Sequence, residues 1–434
     1  MTDHSHDSAA QILSAIDADA ALRPQGAVEL LCSTTEIRRR AAALLDRARA
    51  GGSEFFAVDD AALDAAAGIV ADVTRENYPD GTIPLHSRWR HLGAGGVDRR
   101  AALDHLLGDR ASPVQRARAQ FDLTLVSVLL DAGAGDGWRY AESASGQTFA
   151  RSEGLGVASF HAFTAGLFSS DPAHPCQVDA AGLRGLATDH LAQAFQVRDN
   201  NPLVGLGGRA TLLRRLGETM ASRPESFGTA GRPAGLFDLM TDADHHDIPP
   251  TKEIHAHDLL TTLLITLSPI WPTDNRIGDR PLGDCWRHPA VAGPGLTDGW
   301  MPFHKLTQWL TYSLIEPLHW AGARVNGLET LTGLPEYRNG GLLLDAGVLQ
   351  LRDPALAEQL WKPADPLIVE WRALTVALLD ELAPRVRQRL GVSAEAMPLA
   401  CVLEGGTWAA GRKIAHERRG GRPPLQIDSD GTVF

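Results

Sequence analysis

The chain has 434 residues, which is long enough to bury a hydrophobic core without disulfides or a structural metal. Hydrophobic residues make up 44% and charged residues 22%, and this balance excludes wholesale disorder, a collagen-like fibre and a disulfide scaffold. The formal net charge of −12 argues against a protein that coats nucleic acid, because binding to phosphates depends on clustered cations.

Apolar residues recur at helical spacing along most of the chain. This spacing predicts helices over residues 34–50, 59–70, 115–131, 154–168, 180–195, 207–220, 255–267, 302–320, 368–382 and 399–415. Strand signals are confined to three short stretches, 55–58, 341–351 and 425–434, and a loop rich in Pro, Gly and Arg covers residues 78–96. The pattern predicts a mainly α protein with minor β-strands.

No repeat, low-complexity tract or long linker divides the chain. We therefore expect a polar tail and lead-in over residues 1–30, then a single large helical catalytic unit over 31–434, or two interlocked helical lobes. The segment from Met1 to Ala10 lacks the apolar core of a secretory signal, and the apolar stretch from Leu259 to Trp271 is too short to span a bilayer. Four widely spaced cysteines without a C-x-x-C pair indicate a reducing compartment, so we expect a cytoplasmic protein.

The sequence offers only loose signals for a metal or a cofactor. Histidines and carboxylates cluster at three places, with His4/His6, His245/His246 and His255/His257 as pairs and Asp242, Asp244 and Asp247 nearby. No H-E-x-x-H motif, Walker motif or dinucleotide fingerprint is complete, so we expect no metal and no cofactor. The segment Gly205 to Arg209 opens a predicted helix, and it fits either a phosphate site or a plain helix cap.

The segment from Pro302 to Leu314 contains one of only four lysines in the chain, Lys305. Lys305, Gln308 and two aromatic residues share one face of the predicted helix, and Phe303 precedes them. A buried lysine costs desolvation energy unless a carboxylate pairs with it. Lys305 is therefore either part of a ligand site or half of a structural ion pair.

The segment from Leu331 to Gly341 is a turn marked by one proline and two glycines. It presents four consecutive polar side chains in apolar surroundings, Glu336, Tyr337, Arg338 and Asn339. Polar groups on a loop between packed elements commonly build a binding or catalytic site. The alternative is a solvated turn with a surface salt bridge.

The third segment, from Ile368 to Asp380, is an apolar helix interrupted near its start by Glu370 and Arg372. A carboxylate at this position can complement the helix dipole or accept hydrogen bonds from a ligand. The pattern leaves both interpretations open.

With these segments the chain resembles the uracil catabolism protein 4 family. The matching blocks are RWRHLGAGG, LLDAGAGDGWRY, RSEGLGVAS, FQVRDNNPLVG, FHKLTQWLTYSL, LTGLPEYRNGG, EWRALTV, EGGTWAAGR and SDGTVF. The resemblance implies a role in a uracil degradation route that passes through a ribosylurea-type intermediate. The implied step is the release of urea from ribose or ribose phosphate.

A more distant resemblance is to the queuosine salvage proteins, which are N-glycosidases with a helical, DNA-glycosylase-like fold. The residues that carry it are Lys305 to Gln308, the turn from Leu331 to Arg338, and Val369 to Arg372. It implies that Lys305 is a substrate-site lysine, Glu336 the catalytic carboxylate and Glu370 a hydrogen-bond acceptor for the ligand or its neighbours. The chain departs from that pattern in having glutamate rather than aspartate in the turn, and isoleucine at position 368 where those proteins have an acidic residue.

These resemblances imply the chemistry of an N-glycosidase, in which a carboxylate stabilises or traps the oxocarbenium-like sugar. We assign this role to Glu336. Urea needs a proton or hydrogen bonds as it leaves, which Lys305, Tyr337 or a bound water could supply. The expected substrate is a small ribosyl or phosphoribosyl compound, with no nucleic-acid or membrane partner, while the oligomeric state stays open. The remaining residues expected to bind substrate are Phe303, Gln308, Arg338, Glu370 and Arg372.

A 5′-phosphate on the substrate would require arginines, since the guanidinium fork fits phosphate. The candidates are Arg88, Arg90, Arg151 and Arg209. Two other functions remain open: a non-catalytic binding protein for a degradation intermediate, and a metal-dependent amidohydrolase acting on the ureido group.

Overall fold

The structure is a computed structural model, and it describes residues 18–131, 133–242 and 252–428. Several sequence predictions lie outside these residues. They are the segment from Met1 to Ala10, the metal candidates His4, His6, Asp244, His245, His246 and Asp247, and the SDGTVF block with the end of the last predicted strand.

Helices make up most of the regular structure, and the prediction of a mainly α protein with minor strands is confirmed. In the described residues the helices are α1 (Pro24–Leu31), α2 (Thr34–Arg49), α3 (Ala62–Asn77), α4 (Arg88–Leu92), α5 (Arg99–Leu107), α6 (Pro113–Leu129), α7 (Arg151–Thr164), α8 (Ala180–Arg184), α9 (Thr188–Ala194), α10 (Leu206–Ala221), α11 (Pro224–Phe227), α12 (Ala234–Thr241), α13 (Ala256–Leu267), α14 (Lys305–Trp320), α15 (Tyr337–Asp345), α16 (Pro366–Leu390), α17 (Leu399–Val402) and α18 (Trp408–Arg419). None of the described helices is both long enough and apolar enough to cross a membrane.

The strands are short and pair into two-stranded sheets. They are β1 (Phe56–Val58), β2 (Tyr140–Glu142), β3 (Gln147–Phe149), β4 (Glu253–His255), β5 (Arg276–Ile277), β6 (Arg280–Pro281), β7 (Cys285–Arg287), β8 (Trp300–Pro302), β9 (Arg324–Asn326), β10 (Leu349–Leu351), β11 (Leu360–Trp361) and β12 (Gln426–Ile427). The pairs β1–β10, β2–β3, β5–β6 and β7–β8 are antiparallel, whereas β4–β9 and β11–β12 are parallel. In the β7–β8 pair, Cys285 lies opposite Pro302.

Several predicted elements differ from the observed ones, including the loop 78–96, which contains α4, and two of the differences have identifiable reasons. The predicted strand 341–351 is wrong in its first half, because the leucines there continue α15 and only Leu349–Leu351 form a strand. A short apolar run does not distinguish a strand from a buried helix by periodicity alone. The helix predicted to start at Pro302 begins instead at Lys305, because the Phe303 and His304 N–H groups donate to the carbonyl of Asp284.

The described residues form two compact units. The first unit consists of residues 18–84, 273–305 and 329–428, and the second of residues 85–131, 133–242, 252–272 and 306–328. Helix α14 therefore begins with Lys305 in the first unit, and its other residues belong to the second.

Helix α16 is the centre of the first unit. It packs against α2 and α3, and its residues from Leu367 to Leu379 are all buried. A helix that is buried all round has no solvent-facing side for its polar residues. Glu370 and Arg372 must therefore find their polar partners, protein groups or a ligand, in the interior.

Glycine lets α18 pack closely against α15. A Cβ atom added at Gly411 would lie 2.1 Å from the carbonyl oxygen of Arg338, a buried backbone atom that has little room to move. We expect Gly411→Ala to lower the free energy of unfolding by about 1–3 kcal/mol, the usual range for overpacking. Denaturant unfolding would measure this loss.

Gly207 supplies the matched control, because it is also a helical glycine but a Cβ atom there would meet nothing within 4 Å. Gly207→Ala should be neutral or stabilising by up to about 1 kcal/mol, since alanine favours a helix. Equal effects of the two substitutions would contradict the packing argument.

Candidate active site

Glu336 lies at the N-terminus of α15, directly after the turn that begins at Leu331. Its two carboxylate oxygens accept hydrogen bonds from the backbone N–H groups of Arg338, at 2.7 Å, and Asn339, at 2.5 Å. Burial raises the pKa of Glu336 above its ordinary value, although these N–H groups and the positive charge of Lys305 oppose the rise. The structure therefore brings Glu336 and Lys305 within electrostatic reach of each other.

A buried ion pair between Asp284 and Arg372 organises the surrounding backbone. The guanidinium of Arg372 donates to both carboxylate oxygens of Asp284 at 2.8 Å, and its Nε atom donates to the carbonyl of Pro335 at 3.2 Å. Asp284 also accepts the backbone N–H of Lys305 at 2.9 Å. One ion pair therefore holds the residue before Glu336 and the first residue of α14.

Charge pairing outweighs burial at Asp284. Burial alone would raise the pKa of this carboxyl group, but the Arg372 guanidinium, the Lys305 N–H and the Trp286 indole N–H hold it below its ordinary value. Asp284 therefore stays ionised in the folded protein at neutral pH.

Phe303 and His304 form the strained entry to α14. The ring of Phe303 lies 4.0 Å from the centre of the Arg372 guanidinium, so it covers one face of the ion pair. His304 has a φ of +51°, a left-handed conformation that non-glycine residues seldom adopt. Its Nε2 atom lies 3.0 Å from the carbonyl oxygen of Leu31.

Arg38 on α2 anchors the turn from its other side. Its guanidinium donates to the carbonyls of Thr330, at 2.8 Å, and Leu331, at 2.7 Å, and pairs with Asp380 of α16 at 2.8 Å. The start of the turn and its end, at Pro335, are thus both fixed by arginines.

Glu370 occupies different surroundings, one helical turn or less from Arg372. It is 1% exposed, and its Oε2 atom lies 3.2 Å from Nε2 of His288 and 3.5 Å from a guanidinium nitrogen of Arg47. Its described contacts do not include Glu336 or Lys305, so whether the three share one pocket stays a prediction.

The other polar residues of the turn differ in exposure. Tyr337 is 37% exposed, whereas Arg338 and Asn339 are buried. The guanidinium of Arg338 lies over the Tyr337 ring at 4.7 Å and donates to the carbonyl of Gly421 at 3.3 Å. The Asn339 amide donates to the carbonyl of Leu334 at 3.0 Å, which closes the turn.

Gln308 and the four candidate phosphate-binding arginines belong to the second unit. Gln308 is fully buried in α14. Arg209 donates to the carbonyls of Leu130, Gly133 and Val204, and burial lowers its pKa to about 10. These contacts suit a structural role at the start of α10.

The remaining three arginines also have protein partners. Arg88 is fully buried and pairs with Asp131 at 3.1 Å, and Arg90 pairs with Glu316. Arg151 pairs loosely with Asp136, at 3.4 Å, and its side chain is 40% exposed. A role for any of them in holding phosphate stays a prediction.

Two residues that contact the expected site residues, Asp284 beside Arg372 and His288 beside Glu370, are not among those that the sequence predicts. Both lie close in the chain to Cys285, which is buried, and burial raises the pKa of its thiol well above the ordinary value. The local sequence does not single out either residue, because Arg287 makes the stretch between them polar as well. Among the described residues, no group of three or more His, Cys, Asp or Glu side chains is arranged to hold a metal ion.

Comparison with known proteins gives one family and two relatives. The model of a family described as protein of unknown function (DUF1688) matches residues 30–434. Protein urg3 of Schizosaccharomyces pombe is 40% identical over 415 residues, covering 94% of this chain and 99% of that protein. Uracil catabolism protein 4 of Lachancea kluyveri is 39% identical over 379 residues, covering 81% of this chain and 85% of that protein.

Proposed function

We propose, since this chain belongs to the DUF1688 family, that it acts in uracil catabolism as an N-glycosidase that releases urea from ribosylurea or phosphoribosylurea. The name of the Lachancea kluyveri relative, together with 39% identity over most of both chains, supports the pathway. The observation that carries the reaction is the Glu336 carboxylate beside the charge of Lys305, on a backbone fixed by the Asp284–Arg372 ion pair.

Cleavage of the bond between C1′ of the sugar and the urea nitrogen builds positive charge on the sugar. A preorganised carboxylate in a site with little water stabilises that charge more strongly than it would in bulk solvent. Glu336 is a half-buried carboxylate, and its two backbone hydrogen bonds keep it in one orientation. The same oxygens could instead trap the sugar covalently, as in retaining glycosidases.

Urea is a poor leaving group as an anion, so a proton or strong hydrogen bonds must reach it as the bond breaks. Lys305 is the group we assign to this role, because its charge lies within electrostatic reach of Glu336. Water then adds to C1′, so the products are urea and the free sugar or sugar phosphate.

Incubation of the purified protein with ribosylurea and with its 5′-phosphate tests the reaction. We expect urea and the corresponding free sugar to appear in equal amounts over many turnovers. If urea is released from neither ribosylurea nor its 5′-phosphate, the proposed function is wrong.

A non-catalytic binding protein is the second candidate, because the contacts of Glu336 also fit a purely structural role. Both oxygens of Glu336 already accept backbone N–H groups, which is what a helix cap requires. A binding protein would saturate at one ligand per chain and release no urea, so the same incubation separates the two functions.

The pKa of Glu336 predicts how activity depends on pH. Because burial raises this pKa, Glu336 is protonated over a wider acidic range than an exposed glutamate. Turnover should therefore increase as pH rises through the raised pKa. The contribution of this group to stability runs the other way: it is fully present below the pKa of the unfolded chain and is lost as pH rises through the folded pKa.

The measurement is the turnover number for urea release, with matched unfolding curves, between about pH 4 and pH 8. The acidic limb should disappear in Glu336→Gln, whose residual activity should be flat over this range. An acidic limb that persists in the glutamine variant would assign it to another group.

A further inference from the structure

Two buried polar pairs join α16 to the segment around β7. Arg372 pairs with Asp284, which precedes β7, and Glu370 approaches His288, which follows it. All four side chains are almost fully buried in the first unit.

The two pairs differ in how well their polar atoms are satisfied. Both oxygens of Asp284 accept hydrogen bonds from Arg372. In contrast, neither oxygen of Glu370 nor the Nε2 atom of His288 forms a hydrogen bond to any described residue, although Oε2 and Nε2 are 3.2 Å apart. A buried carboxylate is costly unless it accepts hydrogen bonds, so these oxygens are acceptors that a polar ligand could satisfy.

The backbone fixes which atoms of this second pair can donate. The N–H of Ala290 donates to Nδ1 of His288 at 3.2 Å, so Nδ1 is an acceptor and the ring proton lies on Nε2. The pair therefore offers two acceptors, the oxygens of Glu370, and one donor, the Nε2–H of His288. A complementary ligand must donate hydrogen bonds to Glu370 from two neighbouring atoms. One of those two ligand atoms must also accept the hydrogen bond from Nε2–H of His288.

Vicinal hydroxyl groups meet this requirement, because each hydroxyl both donates and accepts. A ureido group carries its N–H donors and its carbonyl acceptor on different atoms, whereas a hydroxyl can donate to Oε2 of Glu370 and accept from Nε2 of His288, 3.2 Å away, through one atom. We propose that Glu370 and His288 bind the 2′- and 3′-hydroxyls of the ribose. This inference rests on the proposed function, and it makes an unmodified ribose diol the required part of the substrate.

Arg47 is a partly exposed group that contacts this pair. Its guanidinium lies 3.5 Å from Oε2 of Glu370, and its side chain is 33% exposed, whereas that of Glu370 is 1% exposed. Movement of this long, flexible side chain would free Oε2 to accept a hydrogen bond from a hydroxyl.

The test compares ribosylurea with its 2′-deoxy and 3′-deoxy analogues. A hydrogen bond to a charged group contributes enough that losing either hydroxyl should lower kcat/KM of the wild-type protein by about 10- to 100-fold. In Glu370→Gln the ribosyl compound should lose activity mainly through KM, and discrimination between it and the deoxy analogues should shrink towards one. Equal activity of the wild-type protein on all three compounds, or unchanged discrimination in the variant, would overturn the proposal.

Glu36→Gln is the matched control, since Glu36 is a carboxylate of the same unit that Arg39 and Arg40 already hold. It should lose stability without changing the preference for the ribosyl compound. If Glu370→Gln does not fold, the relative activities of the wild-type protein on the three compounds still test whether both hydroxyls are required.

Calorimetric titration separates this inference from the proposed function. Suppose that the wild-type protein releases no urea but binds ribosylurea or free ribose saturably, with higher affinity than it binds the 2-deoxy sugar. That result would support the diol site even though the proposed function had failed. If neither ribosylurea nor free ribose binds, the diol site is rejected.

Discussion

Glu336→Gln should lower the turnover number for urea release by about 10²–10³-fold, or about 3–4 kcal/mol of transition-state stabilisation. The substitution removes the negative charge while keeping the size and most of the hydrogen-bonding capacity of the side chain. The positive charge on the sugar exists only on the way to the transition state, so turnover should fall much more than substrate affinity. Single-turnover rates and equilibrium binding would measure the two effects separately.

Glu336→Asp is the conservative companion to this variant. Aspartate retains the charge and is a better helix N-cap than glutamate, although it reaches one methylene less. We expect it to keep much more activity than the glutamine variant.

The alternative is that Glu336 only caps α15 through the N–H groups of Arg338 and Asn339. In that case the folded glutamine variant should lose about 0.5–2 kcal/mol of stability, as other lost caps do, and turn over at nearly the wild-type rate. Near-normal turnover would reject Glu336 as the catalytic carboxylate.

Arg372→Met should lower the free energy of unfolding by about 3–5 kcal/mol, the usual cost of removing one partner from a buried ion pair. It would leave the carboxylate of Asp284 charged in an apolar interior. It would also release the carbonyl of Pro335, so the residue before Glu336 would lose a fixed position. Turnover of the folded variant should therefore fall as well.

Arg385→Met is the matched control, because Arg385 lies on the same helix but pairs with Asp64 at the surface, at 3.4 Å. Its loss should change stability by at most about 1 kcal/mol. In the double variant Asp284→Asn/Arg372→Met, part of the lost stability should return, because the unpaired charge is gone. Equal unfolding curves for Arg372→Met and Arg385→Met would contradict the importance of the buried pair.

Local signals were enough to predict the helices that have strong apolar periodicity and clear ends. Residues 34–50 were predicted as a helix, and α2 spans Thr34–Arg49, with Ser33 accepting the N–H of Thr35. The predicted helix 180–195 is instead two short helices with a break after Arg184, at Gly185. The predicted helix 399–415 contains a π-helical turn, Leu403–Thr407, before α18. Such irregularities depend on packing partners that lie far away in the sequence.

In the candidate site, too, the sequence indicates some residues and not others. Glu336, Lys305 and Arg372 stand out because they are polar residues in apolar segments. Asp284 does not stand out in this way. Its partner Arg372 lies 88 residues away in the chain, and the neighbouring residues give no indication of that pairing. Arg38 is equally hidden, because a long helix with many arginines gives no sign of which one reaches Thr330. Pairings set by the tertiary fold have no short-range signature.

The division of the chain into segments has a consequence for its synthesis. The first unit is built from three stretches, and Arg38 of α2 must find Asp380 of α16, 342 residues later. At a translation rate of about 5–20 residues per second, α2 would wait roughly 20–70 s before its partner is made. Throughout that time its apolar face, which includes Ile37, Leu44 and Leu45, has no α16 to pack against. The apolar face of α2 therefore exists without its partner helix long before the residues around Glu336 are made.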